Sequence, residues 1–124
     1  MRNIIFCGAG EFSREVFYWL KQSEKYQNIK FKGFLDFATT LLNTYDLKEY
    51  YLGHEDDYNF DDNDYVIIPI AEPVLRERVF NKLKSKKVKF INYVHDSVNM
   101  GGKIIMGESN IICPNSILST DIII

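Results

Sequence analysis

Hydrophobic and polar positions follow two rhythms along this chain. Asn3–Cys7 is a short β-branched and aromatic run that stops at Gly8-Ala9-Gly10, and Phe12, Val16, Trp19 and Leu20 then follow at helical spacing. That order predicts a strand, a tight turn and a helix. Polar residues from Lys21 to Lys30 end the helix, and Phe31–Leu35 reads as a second strand closing at Asp36. Tyr50–Leu52 predicts a short edge strand, and Glu55–Asp64 an acidic, solvated loop or weak helix. Tyr65–Ile70 is the most continuous apolar run in this part of the chain, as expected of a strand buried on both faces of a parallel sheet. Pro73 suits the first turn of a helix in which Leu75, Val79 and Leu83 recur at four-residue spacing. Lys82, Lys84, Lys86 and Lys87 gather near its end, where positive charge complements the helix dipole. Val88–Tyr93 supplies another strand. Strands alternating with helices predict an α/β fold, an open parallel sheet covered on both faces with right-handed crossovers.

From Ser97 onward the rhythm changes. Ile105, Ile111, Ile117 and Ile123 recur six residues apart, the period of a parallel β-helix built from hexapeptide repeats, with these isoleucines expected on its inner side. The boundary between the two rhythms falls near Val94–Asp96, giving a domain over residues 1–94 and a repeat segment over 95–124. Stacked arrays normally need about three units to be stable. Roughly one coil is present before the apolar end at Ile122, Ile123 and Ile124, so the sequence reads as the front part of a longer protein.

Composition narrows the function classes. The 124 residues, 46% hydrophobic and 15% aromatic, provide a core for one ordinary domain with a short appendix. A net charge of −2 and a pI near 5.7 offer no general attraction to phosphate backbones, so nucleic acid is not an expected partner. Cys7 and Cys113 lie far apart without metal-ligand spacing, and no disulfide framework is indicated. Gly8 interrupts the N-terminal apolar run almost at once. Neither secretion nor membrane insertion is signalled, and a cytoplasmic protein is expected.

The residues that can carry chemistry cluster where strands give way to loops. Gly8, Ala9 and Gly10 lie at the carboxyl edge of the predicted sheet, where such folds bind ligands, and amides at a helix start can hold an anion. The dinucleotide pattern G-x-G-x-x-G is incomplete, because Ser13 stands at its third glycine. A tight turn with no ligand accounts for the same glycines. Asp36 can accept from ribose hydroxyls, or serve as a turn or cap residue. Arg14 can face a phosphate or simply be exposed on the helix, whereas Glu11 would repel one. His54 and His95 are the two histidines, and neither has a partner motif; a structural role suits His95 at the domain junction. Ser13, Ser109 and Cys113 show no nucleophile pattern.

The order of segments is more specific than any one of them. Ile4-Ile5-Phe6-Cys7-Gly8-Ala9-Gly10, Arg14-Glu15-Val16, Gly33-Phe34-Leu35-Asp36, Leu75-Arg76 and Val94-His95-Asp96-Ser97 precede the hexapeptide repeats. Across essentially its whole length the chain resembles the bacterial sugar O-acyltransferase family, which includes sialic acid O-acetyltransferases and N-acetyltransferases of nucleotide-linked amino sugars. The resemblance implies a small Rossmann-like parallel sheet followed by the start of a left-handed parallel β-helix. It further implies trimers that bind acetyl-CoA between neighbouring β-helices and a sugar or nucleotide-sugar at the N-terminal sheet. On that basis Gly8, Ala9, Gly10, Asp36, Ile70 and Ala71 would line the substrate pocket. The catalytic histidine of the family lies on a later coil, so no catalytic residue is expected within these 124 residues, and acetyl-CoA would be a co-substrate of the complete enzyme alone. Departures from the family pattern are Glu11, Ser13 and the glycine-free turn Ile70-Ala71-Glu72-Pro73.

Two further readings stand beside an acetyltransferase acting in surface polysaccharide synthesis. One is a non-catalytic nucleotide-sugar-binding or assembly module. The other, a nicotinamide-dependent oxidoreductase, rests on the incomplete glycine pattern.

Overall fold

Apolar residues occupy both faces of the first strand, β1 (Asn3–Cys7). In the computed structural model, which describes Met1–Ile124, β1 is the middle strand of a five-stranded parallel sheet. The order is β3-β2-β1-β4-β5, with β2 at Lys30–Leu35, β3 at Tyr51–Gly53, β4 at Asp64–Ile67 and β5 at Lys89–Phe90. Helix α1 (Glu11–Gln22) links β1 to β2, the short α2 (Thr40–Thr44) precedes β3, and α3 (Pro73–Ser85) links β4 to β5. Alternation along β1 divides the core between two layers. Ile4 and Phe6 pack with Phe34 and with Val16, Phe17 and Leu20 of α1. Ile5 and Cys7 pack with Leu35 and Val66 and with Val79 and Leu83 of α3. The glycine at position 33 lets β3 approach β2, since a Cβ there would lie 2.3 Å from the Tyr50 carbonyl oxygen.

Three expected segments differ in detail. The Tyr65–Ile70 run is buried from Val66 through Pro69, but β4 itself ends at Ile67, ahead of Pro69, which has no amide to donate to a ladder. Val88–Tyr93 divides, Lys89–Phe90 joining the sheet while Tyr93–Val94 forms β6 and pairs elsewhere. The acidic stretch from Glu55 to Asp64 is not simply solvated. The Asp64 carboxylate is fully buried, accepting from Asn3 Nδ2 at 3.0 Å and from the Asp61 amide at 3.0 Å, and pairing with Lys32 at 3.1 Å. Burial raises the cost of charging it, yet these donors win and hold its pKa below the usual 3.8.

Beyond β6 the chain turns back in regular steps. Strand β6 pairs in parallel with β8 (Ile111–Ile112), β7 (Asn99–Met100) pairs with β9 (Ile117–Leu118), and Ile105 bridges to Ile123. Each pairing joins residues eighteen apart. Between them Lys103, Ser109, Asn115 and Asp121, six residues apart, hold φ values of 61 to 64°, so a left-handed residue turns the chain at every corner.

This geometry corrects the expected orientation of the isoleucines. Ile105, Ile117 and Ile123 are 63, 75 and 78% exposed, while their neighbours Ile104, Met106, Ile122 and Leu118 are half-buried. The flanking positions therefore face inward, and the six-spaced row faces out. Ile111 belongs to the same row and is half-buried because it packs on the core formed by β1 and α1. A six-residue period contains rows of both kinds, and a shift of one residue exchanges them.

The repeat segment is docked rather than suspended. Arg76 of α3 donates from Nε to the Ile68 carbonyl at 3.2 Å and from Nη2 to the Ser109 carbonyl. The Asn110 amide donates to Asn92 Oδ1 at 2.8 Å. At the junction Asp96 accepts from Ser23 Oγ at 2.6 Å and from the Glu24 amide at 3.1 Å. No helix is long and apolar enough to cross a membrane.

Candidate functional site: a cavity at the carboxyl edge of the sheet

Strand order reverses direction at β1, because β2 lies on one side of it and β4 on the other. The carboxyl ends of such neighbours splay apart and leave a crevice. Here the crevice is a cavity of about 540 Å³, within the range of small-molecule sites. Gly8, Ala9 and Gly10 after β1, Asp36 after β2, and Ile70 and Ala71 after β4 all line it. The sequence reading thus selected six residues that the fold gathers around one space. It missed Phe12, Phe37, Thr40, Glu55, Glu72 and Leu75, which line the same wall.

Backbone geometry explains the opening. Gly8 has a φ of 125°, and a Cβ there would lie 2.9 Å from Ile70 Cγ1, so this position needs glycine for both conformation and space. Gly10 differs. Its φ is −86°, and a side chain there would meet nothing within 4 Å. Gly10 keeps the cavity open; the turn itself does not require it.

Asp36 is engaged by the loop it faces. Its carboxylate accepts from the Ala9 amide at 2.9 Å and the Ala38 amide at 3.3 Å, joining the ends of β1 and β2. Glu72 caps α3 by accepting from the Val74 and Leu75 amides at 3.0 and 2.7 Å. Glu55 lies 3.4 Å from Lys82 and 3.5 Å from His54. Phe37 is 84% exposed beside Asp36, an aromatic ring held at the cavity without burial. The sequence offered one sign of it, an aromatic residue placed after the strand-closing acid.

Several candidates lie elsewhere. Arg14 does not line the cavity; its guanidinium lies over the Tyr45 ring, 3.7 Å from the centroid. Ser13 Oγ donates to the Gly10 carbonyl at 2.6 Å. Neither histidine lines the cavity. His95 Nδ1 accepts from the Ser97 amide at 3.0 Å and its ring meets Trp19 edge-on, a structural setting at the junction. His54 Nδ1 accepts from the Asp56 amide at 3.1 Å. Cys7 does line the cavity, but burial, then the nearby Glu55 and Asp36 charges, push its thiol far above its ordinary value, so the nucleophilic thiolate is suppressed. Burial also raises Cys113. No three of the His, Cys, Asp and Glu side chains converge to hold a metal ion.

Compared with protein-family models and with curated proteins, the sequence matches none. The cavity is therefore read from its own geometry.

Proposed function

We propose that these residues form the substrate-binding portion of an acetyl-CoA-dependent sugar or nucleotide-sugar acetyltransferase in surface polysaccharide synthesis. The supporting observation is a ligand-sized cavity at the reversal point of a parallel sheet, joined to strands that pair in steps of eighteen residues with a left-handed corner every six. Three six-residue sides make one eighteen-residue turn. On this reading the segment from Tyr93 begins a left-handed parallel β-helix of the kind that assembles as a trimer and binds acetyl-CoA between subunits. The cavity would hold the sugar, and a base other than the cavity's lining residues would take the proton from its hydroxyl or amine as that group attacks the thioester carbon and coenzyme A leaves as the thiol.

A non-catalytic sugar-binding or assembly module is the second reading, favoured by the absence of both histidines from the cavity wall. Two measurements test the proposal. In a thermal-shift panel of free sugars and UDP-, CMP- and dTDP-linked sugars, at least one sugar is expected to raise the melting temperature, because a ligand bound only by the native state stabilises it. NADH is expected to leave it unchanged; a shift with NADH and none with any sugar overturns the reading in favour of a nicotinamide enzyme. Incubation with acetyl-CoA and a bound sugar is expected to release no thiol above the blank. Turnover by the 124 residues alone would show that the base is among them.

A further inference from the structure

Every lining residue that carries charge at neutral pH is an acid. Glu11, Asp36, Glu55 and Glu72 line the cavity, and no lysine, arginine or histidine does. Three of the amides that such an edge can offer an anion are occupied, those of Val74 and Leu75 by Glu72 and that of Ala9 by Asp36. The start of α1 has no side-chain cap, but Glu11 stands in its first turn. A diphosphate would bring further negative charge among these carboxylates with no cation on the wall to meet it, since Lys82 behind Glu55 is already shared between Glu55 and Asp56. Nor do the acids converge into a set that could hold a metal ion to bridge them. The wall is otherwise suited to a sugar ring. Phe37 and Phe12 add aromatic carbon to the wall, and carboxylates accept hydrogen bonds from hydroxyls and ammonium groups.

We propose that the cavity takes a phosphate-free sugar, prefers one bearing an amine, and rejects its nucleotide-linked counterpart. This rests on the sugar-binding reading and narrows it. Ligand-observed NMR titration of the full chain with glucosamine, N-acetylglucosamine and UDP-N-acetylglucosamine tests the order of affinities. At about 20 mM salt, glucosamine is expected to bind about tenfold more tightly than N-acetylglucosamine, with the UDP-sugar weakest, and the gap should narrow at about 500 mM salt. Glu11→Lys is expected to weaken glucosamine and strengthen the UDP-sugar, each by about tenfold. Glu11 is exposed, so the fold should tolerate the change, and an unaltered melting temperature would verify that. If the UDP-sugar binds most tightly to the unmodified chain, the narrowing is overturned while the sugar-binding reading survives. If none of the three binds, both fall. Unchanged affinities in Glu11→Lys also overturn the charge argument.

Discussion

At the scale of single residues, the two outer glycines of the first turn have separable duties. Gly8 adopts a backbone conformation hostile to L side chains and abuts Ile70, so Gly8→Ala is expected to lower stability by about 1–3 kcal/mol in urea unfolding. Gly10→Val meets open space and is expected to cost no more than about 1 kcal/mol while abolishing sugar binding, as calorimetry would reveal. Equal losses of stability would refute the division. Asp64 sets a different dependence. Its folded pKa lies below the ordinary 3.8, so its contribution is complete above that value and is lost as pH falls through the folded value. Asp64→Asn should flatten the acid limb of the stability profile below about pH 4. It should also cost about 2 kcal/mol at neutral pH, short of the value for a fully buried pair because Lys32 keeps 25% of its side chain in solvent.

Among elements, α3 is the tie between sheet and repeat. Arg76→Leu removes the donors to the Ile68 and Ser109 carbonyls, and the expected cost is about 1–3 kcal/mol, with faster hydrogen exchange at Ile111 and Ile112 than in β1. The strands of the sheet were legible because β-branched and aromatic runs bounded by glycine, proline and acids carry strong local signals. Tyr93 shows where such signals stop. It closes the expected strand Val88–Tyr93, yet it crosses to a new pairing with Ile111, a partner that only the completed turn of chain supplies. The isoleucine row illustrates the same limit, since its period was plain but a period of six contains inward and outward rows alike, and only the folded turn tells which is which.

For the molecule as a whole, the division at residue 94 is weaker in energy than in sequence. Tyr93 is fully buried, stacks on Tyr26 with 5.3 Å between ring centroids, and shares its core with Ile111. Truncation after Val94 is thus expected to lower stability by at least about 2 kcal/mol, and an unchanged urea midpoint would show that the repeat contributes nothing to the sheet. The cavity was half legible for a related reason. Glycines and strand-ending acids mark a sheet edge in sequence, whereas Glu55 and Leu75 reach it only through the packing of separate segments. Lys103, Ser109, Asn115 and Asp121 all hold a conformation that glycine, asparagine and aspartate accept most readily. A saturation-mutagenesis fitness map of this segment should then resolve into two superimposed frequencies. One, with a wavelength of six positions, rewards those three residues at the corners, where Lys103→Asn is a gain; the other, with a wavelength of two, separates tolerant outward positions from intolerant inward ones.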